Sequence, residues 1–193
     1  MSYVTDSFDS RVVKLLSAGG VGLLPSDTIY GLSCRAPDQK AVERVHQIKR
    51  RDKTKPFVIL ISRVEQLNEL GIITTEAAPA LRYWPGKLTM ICEAQDAPAW
   101  LHMGTRSLAV RQPDYPELRE LIDKVGPIVS TSANLSGGQP AASVSDAQKY
   151  FGDKLDFYVD AGQLSGQPST IIRKNNYELE VVRQGAVKVK EAK

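Results

Sequence analysis

Three clusters of polar side chains interrupt apolar stretches of the sequence, and each carries groups that bind anions. A turn at residues 25–31 reads Pro-Ser-Asp-Thr-Ile-Tyr-Gly and offers hydroxyls and backbone N–H groups. Residues 49–55 place five cations within seven positions, and residues 130–138 combine five small polar side chains with two glycines. Guanidinium and ammonium groups hold phosphates and carboxylates. Each cluster alone is also typical of a solvated turn or helix end, so only their combination predicts a site.

Several common site types are not indicated by the sequence. Neither GxxxxGK[ST] nor GxGxxG occurs, which excludes a P-loop and a dinucleotide-binding fingerprint. The only cysteines, Cys34 and Cys92, lack CxxC spacing, and the only histidines are His46 and His102. We therefore expect neither a disulfide framework nor a tightly bound protein metal.

The composition indicates one compact domain. The chain has 193 residues, of which 42% are hydrophobic, enough for one sizeable core. A net charge of +3 fits an anionic ligand but is too small for a surface that coats nucleic acid. No apolar run approaches the roughly 20 residues that span a bilayer, and the first ten residues lack signal-peptide features. These features predict a cytoplasmic protein without a membrane partner.

Hydrophobic periodicity predicts elements that place the three clusters at strand ends. Helices are expected at residues 7–18, 38–48 and 117–125, and two more begin at Ser62 and Ser143, where an acid three residues on gives capping-box spacing. Strands are expected at residues 21–24, 32–34, 57–61, 88–92, 108–110, 127–130, 157–159, 170–172 and 179–182. This mixture predicts an α/β or α+β fold with a mixed, partly antiparallel sheet flanked by helices. Ligands bind such sheets in crevices at the strand ends.

The clusters and several shorter motifs resemble the YrdC/Sua5 family in their order along the chain. The resemblance rests on residues 25–32, Lys49-Arg50-Arg51, Lys55-Pro56, Trp84-Pro85-Gly86, Val110-Arg111, residues 130–137, residues 168–171 and Arg183-Gln184-Gly185. Each piece is common, but the ordered set is specific and spans nearly the whole chain. Ser26, where the family commonly has threonine, keeps the hydroxyl, whereas Lys87 replaces a common proline.

The resemblance implies a twisted, open, YrdC/RibB-like sheet in one domain over residues 1–187, with residues 188–193 as a charged tail. It also implies a nucleotidyltransferase, a threonylcarbamoyl-AMP synthase that forms L-threonylcarbamoyladenylate and pyrophosphate from L-threonine, bicarbonate and ATP. The product would pass to the threonylcarbamoyl transferase machinery that modifies adenosine 37 of transfer RNA. Mg²⁺ is expected to accompany the ATP, because a hard cation normally binds triphosphate oxygens.

The family's two diagnostic patterns, Lys-x-Arg and Ser-x-Asn, are carried here by Lys49 with Arg51 and by Ser132 with Asn134. Matching charge to charge, and strengthened by the resemblance, we assign Lys49 and Arg51 to catalysis. The ATP-binding residues are then Arg51, Lys55, Ser107, Asn134, Ser143 and Arg183. The L-threonine-binding residues are Thr28, Arg111, Ser132 and Ser169.

Two other interpretations of the sequence compete with this enzyme. The basic residues 49–55 are also typical of a module that binds double-stranded RNA or transfer RNA, and weak RNA binding is compatible with either interpretation. The net charge of +3 and the absence of an aromatic RNA-stacking motif argue against the module. A carbamoyl-handling domain like that of hydrogenase maturation proteins is disfavoured, because the chain lacks acylphosphatase and zinc-finger segments.

Overall fold

The structure is a computed structural model and describes residues 1–50, 57–175 and 178–189. Its strands are β1 (Tyr3–Thr5), β2 (Gly22–Leu24), β3 (Gly31–Arg35), β4 (Val58–Leu60), β5 (Leu88–Glu93), β6 (Ser107–Arg111), β7 (Ile128–Ser132), β8 (Phe157–Val159), β9 (Thr170–Asn175) and β10 (Glu178–Arg183). Its α-helices are α1 (Ser10–Ser17), α2 (Gln39–Lys49), α3 (Gln66–Glu69), α4 (Ala99–His102), α5 (Pro116–Val125) and α6 (Val144–Phe151). Short 3-10 helices occupy Thr74–Tyr83 and Gly152–Lys154.

All of these strands belong to a single mixed sheet. Their order across the sheet is β1-β8-β2-β3-β7-β4-β6-β5-β9-β10. The central strand β7 pairs antiparallel with both β3 and β4, whereas β4 pairs parallel with β6. The predicted α/β fold with a partly antiparallel sheet is therefore confirmed.

The sheet buries a hydrophobic cluster on each face, because successive side chains of a strand point to opposite faces. Leu23 of β2 belongs to the larger cluster, and the adjacent Leu24 belongs to the smaller one. The apolar sides of α1 and α5 complete the smaller cluster, while α2 and α6 contribute to the larger one. Helices thus cover both faces.

The ends of the helices flanking the site follow from local sequence. The Asp38 carboxylate accepts a hydrogen bond from Ala41 N at the start of α2, and Arg50 ends that helix in the left-handed conformation, with φ of 50°. Ser143 Oγ accepts from Asp146 N at 3.1 Å and begins α6, as its capping-box spacing predicts. None of the described helices is both long and apolar enough to cross a membrane.

Several predictions about local structure are wrong. Ser62 does not cap the next helix, since α3 begins only at Gln66, and Ser62 N instead donates to the Gln66 side chain. The strand expected at residues 127–130 ends later than predicted, because Thr131 and Ser132 pair with β3 as the end of β7. Strand β1, helix α4 and the 3-10 helix Thr74–Tyr83 were not predicted. Of the predicted tail, residues 190–193 lie outside the described residues.

Candidate functional site

A cavity of about 460 Å³ opens where the turn after β2 meets the strands β4 to β7, β9 and β10. This volume is within the range typical of sites for small organic ligands. The cavity is lined by Ser26, Thr28, Ile29, Tyr30, Gly31, Phe57, Val58, Leu60, Ile91, Ser107, Ala109, Arg111, Ser130, Thr131, Ser132, Pro140, Pro168, Ser169, Ile171, Val182 and Arg183.

Strand register creates an apolar strip along the cavity. Val58 of β4 pairs with Ala109 of β6, which pairs with Ile91 of β5. On the other side of Val58, its partner in β7 is Ser130. Because paired residues of neighbouring strands project from the same face, the three apolar side chains lie side by side and a hydroxyl continues the row. The strip can take the apolar part of a ligand.

Arg111 forms a polar part of the cavity wall, and three contacts fix its guanidinium group. Its Nε donates to Gly86 O at 2.8 Å, and its Nη1 donates to Thr28 Oγ1 at 3.0 Å. Its Nη2 forms an ion pair with Asp27. Burial lowers the pKa of Arg111, the Asp27 carboxylate opposes that shift, and the neighbouring Arg183 cation adds to it. Arg111 stays cationic because even a lowered arginine pKa remains far above neutrality.

The turn that carries Thr28 is held by its own hydroxyls and by a second loop. Ser26 Oγ lies 2.9 Å from Thr28 Oγ1 and donates to Ile29 O at 2.8 Å. Gly166 approaches the backbone of Thr28 so closely that a side chain there would overlap the Thr28 carbonyl. Glycine is needed at this approach because it has no Cβ. The position of the Thr28 hydroxyl is thus set by packing from both sides.

Ser169 and Arg183 form another part of the cavity wall. Arg183 Nη2 donates to Ser169 O at 2.7 Å, and Ser169 Oγ shares a hydrogen bond of 2.7 Å with Thr89 Oγ1. Partial burial lowers the pKa of Arg183. Two guanidinium groups, Arg111 and Arg183, therefore line one cavity, and this favours an anionic guest.

Lys49 lies behind Ser132, one of the lining residues. Its Nζ donates to Ser132 O at 2.5 Å and to Asn134 Oδ1 at 3.1 Å, while Ser132 Oγ donates to Asn134 Oδ1 at 2.6 Å. The Asn134 amide nitrogen in turn donates to Leu135 O and Gly138 O, at 2.9 and 2.7 Å. This network joins the end of α2 to the loop after β7. It fixes the conformation of that loop at the edge of the cavity.

The structure brings most of the predicted site residues together. Six of them line the cavity: Thr28, Ser107, Arg111, Ser132, Ser169 and Arg183. Lys49 and Asn134 adjoin it through Ser132. Arg51 and Lys55 lie outside the described residues, so their roles remain predictions.

Ser143 differs from the other predicted nucleotide contacts. It is not among the described residues that line the cavity, and its hydroxyl bonds to Asp146 as the cap of α6. A cap satisfies helix N–H groups and has a structural role of its own. Contact between Ser143 and a nucleotide remains a prediction.

The sequence reasoning missed two parts of the site. One is Asp27 in the polar turn, for which the sequence analysis predicts no role, although a carboxylate between two hydroxyl residues is a signal of one. The apolar strip was missed because strand pairing, not local sequence, places Val58, Ala109 and Ile91 next to one another. Within the described ranges, no group of three or more His, Cys, Asp or Glu residues is arranged to hold a metal ion.

The fold and the cavity define an α/β protein whose cavity, lined by two arginines, is suited to an anionic small molecule. The family model of Sua5, YciO and YrdC proteins, described as "Telomere recombination", matches residues 14–185. The chain belongs to this family.

Two of the similar curated proteins carry the same name. A threonylcarbamoyl-AMP synthase of Marinobacter nauticus is 38% identical over 80% of this chain and 85% of its own length. A protein of the same name from Photorhabdus laumondii is 32% identical over 93% of this chain and 96% of its own length.

Solved structures share the fold. Pyrococcus abyssi Sua5 in complex with L-threonine superposes with a TM-score of 0.85 at 28% identity, over 96% of this chain and 57% of that one. The chain thus spans just over half of that archaeal protein. Escherichia coli YciO, at 24% identity and a TM-score of 0.84 over 98% of both chains, supports the fold alone.

Proposed function

We propose that this chain is a threonylcarbamoyl-AMP synthase, a nucleotidyltransferase that joins L-threonine, bicarbonate and ATP. The observation that carries the proposal is the meeting of Lys49, Ser132 and Asn134 beside a cavity lined by Arg111 and Arg183. The names of the similar curated proteins and the threonine complex of the archaeal relative agree with it.

The walls suggest where each substrate binds. Arg111 is suited to the threonine carboxylate, because its planar fork matches a carboxylate and Thr28 and Ser169 offer hydroxyls on either side. Arg183 and Ser107, with Asn134, Arg51 and Lys55, are proposed to bind the nucleotide. The apolar strip of Val58, Ala109 and Ile91 lies between them and offers a surface for the uncharged parts of both substrates.

The proposed chemistry has two steps. The threonine amine and bicarbonate form a carbamate and release water. A carbamate oxygen then attacks the α-phosphorus of ATP, a new P–O bond forms, and the bond to the β-phosphate oxygen breaks to release pyrophosphate. Positioning and charge stabilisation dominate such phosphorus chemistry, so a cavity rich in cations and hydroxyls suits it. Lys49 is proposed to hold the wall at Ser132 and to add positive charge beside the reacting carbamate or phosphate.

Magnesium is proposed to arrive with the nucleotide. The described lining offers hydroxyls and cationic groups, whereas a hard divalent cation prefers the phosphate oxygens that ATP itself supplies. The cation would neutralise charge on the triphosphate. The adenylate would then pass to the transferase machinery that modifies transfer RNA, and a cytoplasmic location belongs to the same proposal.

The position of Lys49 argues against the competing RNA-binding interpretation. Lys49 is only 2% exposed, and its ammonium group bonds to Ser132 and Asn134, so it does not belong to an exposed patch that contacts phosphates. An adenylate-forming enzyme accounts for its position better.

Incubation of the chain with ATP, bicarbonate and L-threonine, followed by mass detection of the adenylate, tests the proposed function. Omission of bicarbonate and replacement of L-threonine by L-serine are the controls. A product that requires all three substrates supports the proposal. ATP hydrolysis without the adduct would refute it.

A further inference from the structure

We propose that Asp27 is a positioning residue that orients the guanidinium group of Arg111 for the substrate carboxylate. This inference rests on the proposed function, since it assumes that Arg111 binds the carboxylate of an amino acid. It adds Asp27, which received no role in the sequence analysis, to the residues that determine amino-acid binding.

The geometry ties both side chains to separate parts of the chain. Asp27 Oδ1 pairs with Arg111 Nη2, and Asp27 Oδ2 accepts from the backbone N–H of Asp114 at 3.2 Å. Asp27 follows β2, whereas Arg111 ends β6 and Asp114 begins the approach to α5. The carboxylate therefore joins the turn that carries Thr28 to the strand that carries Arg111.

Because both side chains are buried, Asp27 fixes the direction in which the Arg111 guanidinium points. The side chains of Arg111 and Asp27 are only 5% and 7% exposed. In such surroundings an arginine turns towards its acceptors, because an unsatisfied buried donor is costly. The described contacts to Gly86 O, Thr28 Oγ1 and Asp27 use three of the five N–H groups of Arg111. One N–H on each terminal nitrogen is left for a ligand.

Charge balance gives Asp27 a second effect. The cations Arg111 and Arg183, which both line the cavity, repel each other, and Asp27 offsets one of the two positive charges. This offset reduces the repulsion between the two cations, so Arg111 can face a ligand carboxylate while Arg183 stays available for the nucleotide. Without Asp27, the Arg111 guanidinium would lose one of the three contacts that orient it, and the repulsion by Arg183 would no longer be offset.

The test compares binding of L-threonine, L-threonine amide and ATP to the intact chain by isothermal titration calorimetry. Asp27→Asn keeps the size of the side chain and removes its charge. We expect the affinity of this variant for L-threonine to fall at least about tenfold. The reason is that a misoriented Arg111 loses its charge-assisted bidentate contact with the L-threonine carboxylate. Its affinities for L-threonine amide and for ATP should stay within about twofold, since neither uses the Arg111 fork. Asp123→Asn, which removes a carboxylate paired with Arg63 away from the cavity, is the matched control and should change none of the three.

Two outcomes would overturn the inference. Unchanged or tighter L-threonine binding by Asp27→Asn would mean that Asp27 competes with the substrate for Arg111. Equal weakening for L-threonine and its amide would assign Asp27 a general structural role. If Asp27→Asn does not fold, Asp27→Glu, which keeps the charge but moves it by one methylene, replaces it with the same expected loss of preference for the carboxylate.

Different measurements test the proposed function and the role of Asp27, so one proposal can be refuted without the other. Adduct formation by the unaltered chain tests the proposed function, whereas the ligand preference of Asp27→Asn is a binding measurement that does not depend on turnover. An active parent whose Asp27→Asn variant retains its preference for L-threonine over the amide would refute only the role of Asp27.

Discussion

Lys49 Nζ lies 3.1 Å from Asn134 Oδ1, although 85 residues separate the two along the chain. Lys49 is the last residue of α2, and Asn134 follows the central strand β7. The contact links two motifs that the sequence presents far apart, and it brings both to the edge of one cavity. A helix that ends at residue 48, as the sequence predicts, would leave Lys49 in the polar loop beyond it, and this is wrong, because Lys49 belongs to α2 and its side chain is buried. Its substitution should therefore affect stability as well as activity.

Lys49→Met tests this double role. The variant keeps most of the side-chain volume but leaves Ser132 O and Asn134 Oδ1 without this donor. Asn134 N and Ser132 Oγ still donate to these two oxygens, so the variant loses the hydrogen bonds of a charged donor without leaving a bare acceptor. We expect the free energy of unfolding to fall by about 1.5–3 kcal/mol, the range for a hydrogen bond to a charged group. Adduct formation should be lost at temperatures where the variant remains folded. Urea denaturation and the mass assay measure the two effects.

The control for this variant is Lys40→Met, which makes the same change at an exposed position of the same helix. It should alter the unfolding free energy by less than about 0.5 kcal/mol and leave adduct formation intact. If Lys49→Met is as stable and as active as Lys40→Met, the buried network has no functional importance.

Ala109→Leu tests the cavity itself. Ala109 lies in the apolar strip between Val58 and Ile91, so a leucine there would project into the space proposed for substrates. We expect the affinity for ATP or L-threonine to fall at least about tenfold, while the melting temperature stays within a few degrees because the cavity accepts the added volume. Calorimetry and a circular-dichroism melt provide the readouts. Normal affinity for both ligands would show that they bind elsewhere.

Arg183→Gln tests the assignment of the nucleotide. Removing one cation from the cavity wall should weaken ATP binding by about 1.5–3 kcal/mol, the range for a hydrogen bond to a charged group. L-threonine binding should change much less. Arg173→Gln removes an exposed arginine of the neighbouring strand β9 and should have no effect on either ligand. If Arg183→Gln lost L-threonine binding selectively, Arg183 would belong to the amino-acid subsite, and the proposed assignment of Arg183 to the nucleotide would be wrong.

Alkaline pH should destabilise the chain through its buried thiols. Burial raises the pKa of Cys92 to about 12, and it also raises the pKa of Cys34. In the unfolded chain the thiol pKa is near 9. Below that pH both thiols stay protonated in the folded and the unfolded state, and no stability is lost. As pH rises above about 9, the unfolded thiols ionise first. Each buried thiol should then lower the unfolding free energy by about 1.4 kcal/mol per pH unit.

Urea denaturation between pH 8 and 11 measures this slope. Cys92→Ala removes one of the two thiols and should make the slope shallower by about 1.4 kcal/mol per pH unit. An identical slope in the parent and in Cys92→Ala would mean that Cys92 ionises equally in both states.

Local sequence predicted the elements whose signals are local. The Asp38 and Ser143 caps and the apolar periodicity of α5 each depend on a few neighbouring residues, and each is present in the structure. Strand β1 was missed because three residues carry little periodicity. It forms by pairing Tyr3 with Phe157 of β8, a partner that no local pattern identifies.

The site was predicted in its residues but not in its geometry. The resemblance to the family supplied Lys49, Ser132 and Asn134, whereas their contact depends on the antiparallel pairing of Gly31 with Ser132. The ion pair of Asp27 with Arg111 is also a long-range contact: β3, β7 and β4 lie between β2 and β6 in the sheet, and the turn after β2 carries Asp27 to the end of β6. Strand order and register are long-range properties, so the sequence identified which groups matter but not which of them touch.

The central claim is that these separated polar residues hold ATP and an amino acid in one cavity. Its most direct test is isotope transfer from ¹³C-labelled bicarbonate into the adenylate, measured by mass spectrometry in the presence of ATP and L-threonine. We expect an adenylate one mass unit heavier, with pyrophosphate released in equal amount, and no such product from Lys49→Met. An adenylate without the label, or none from the unaltered chain, would contradict it.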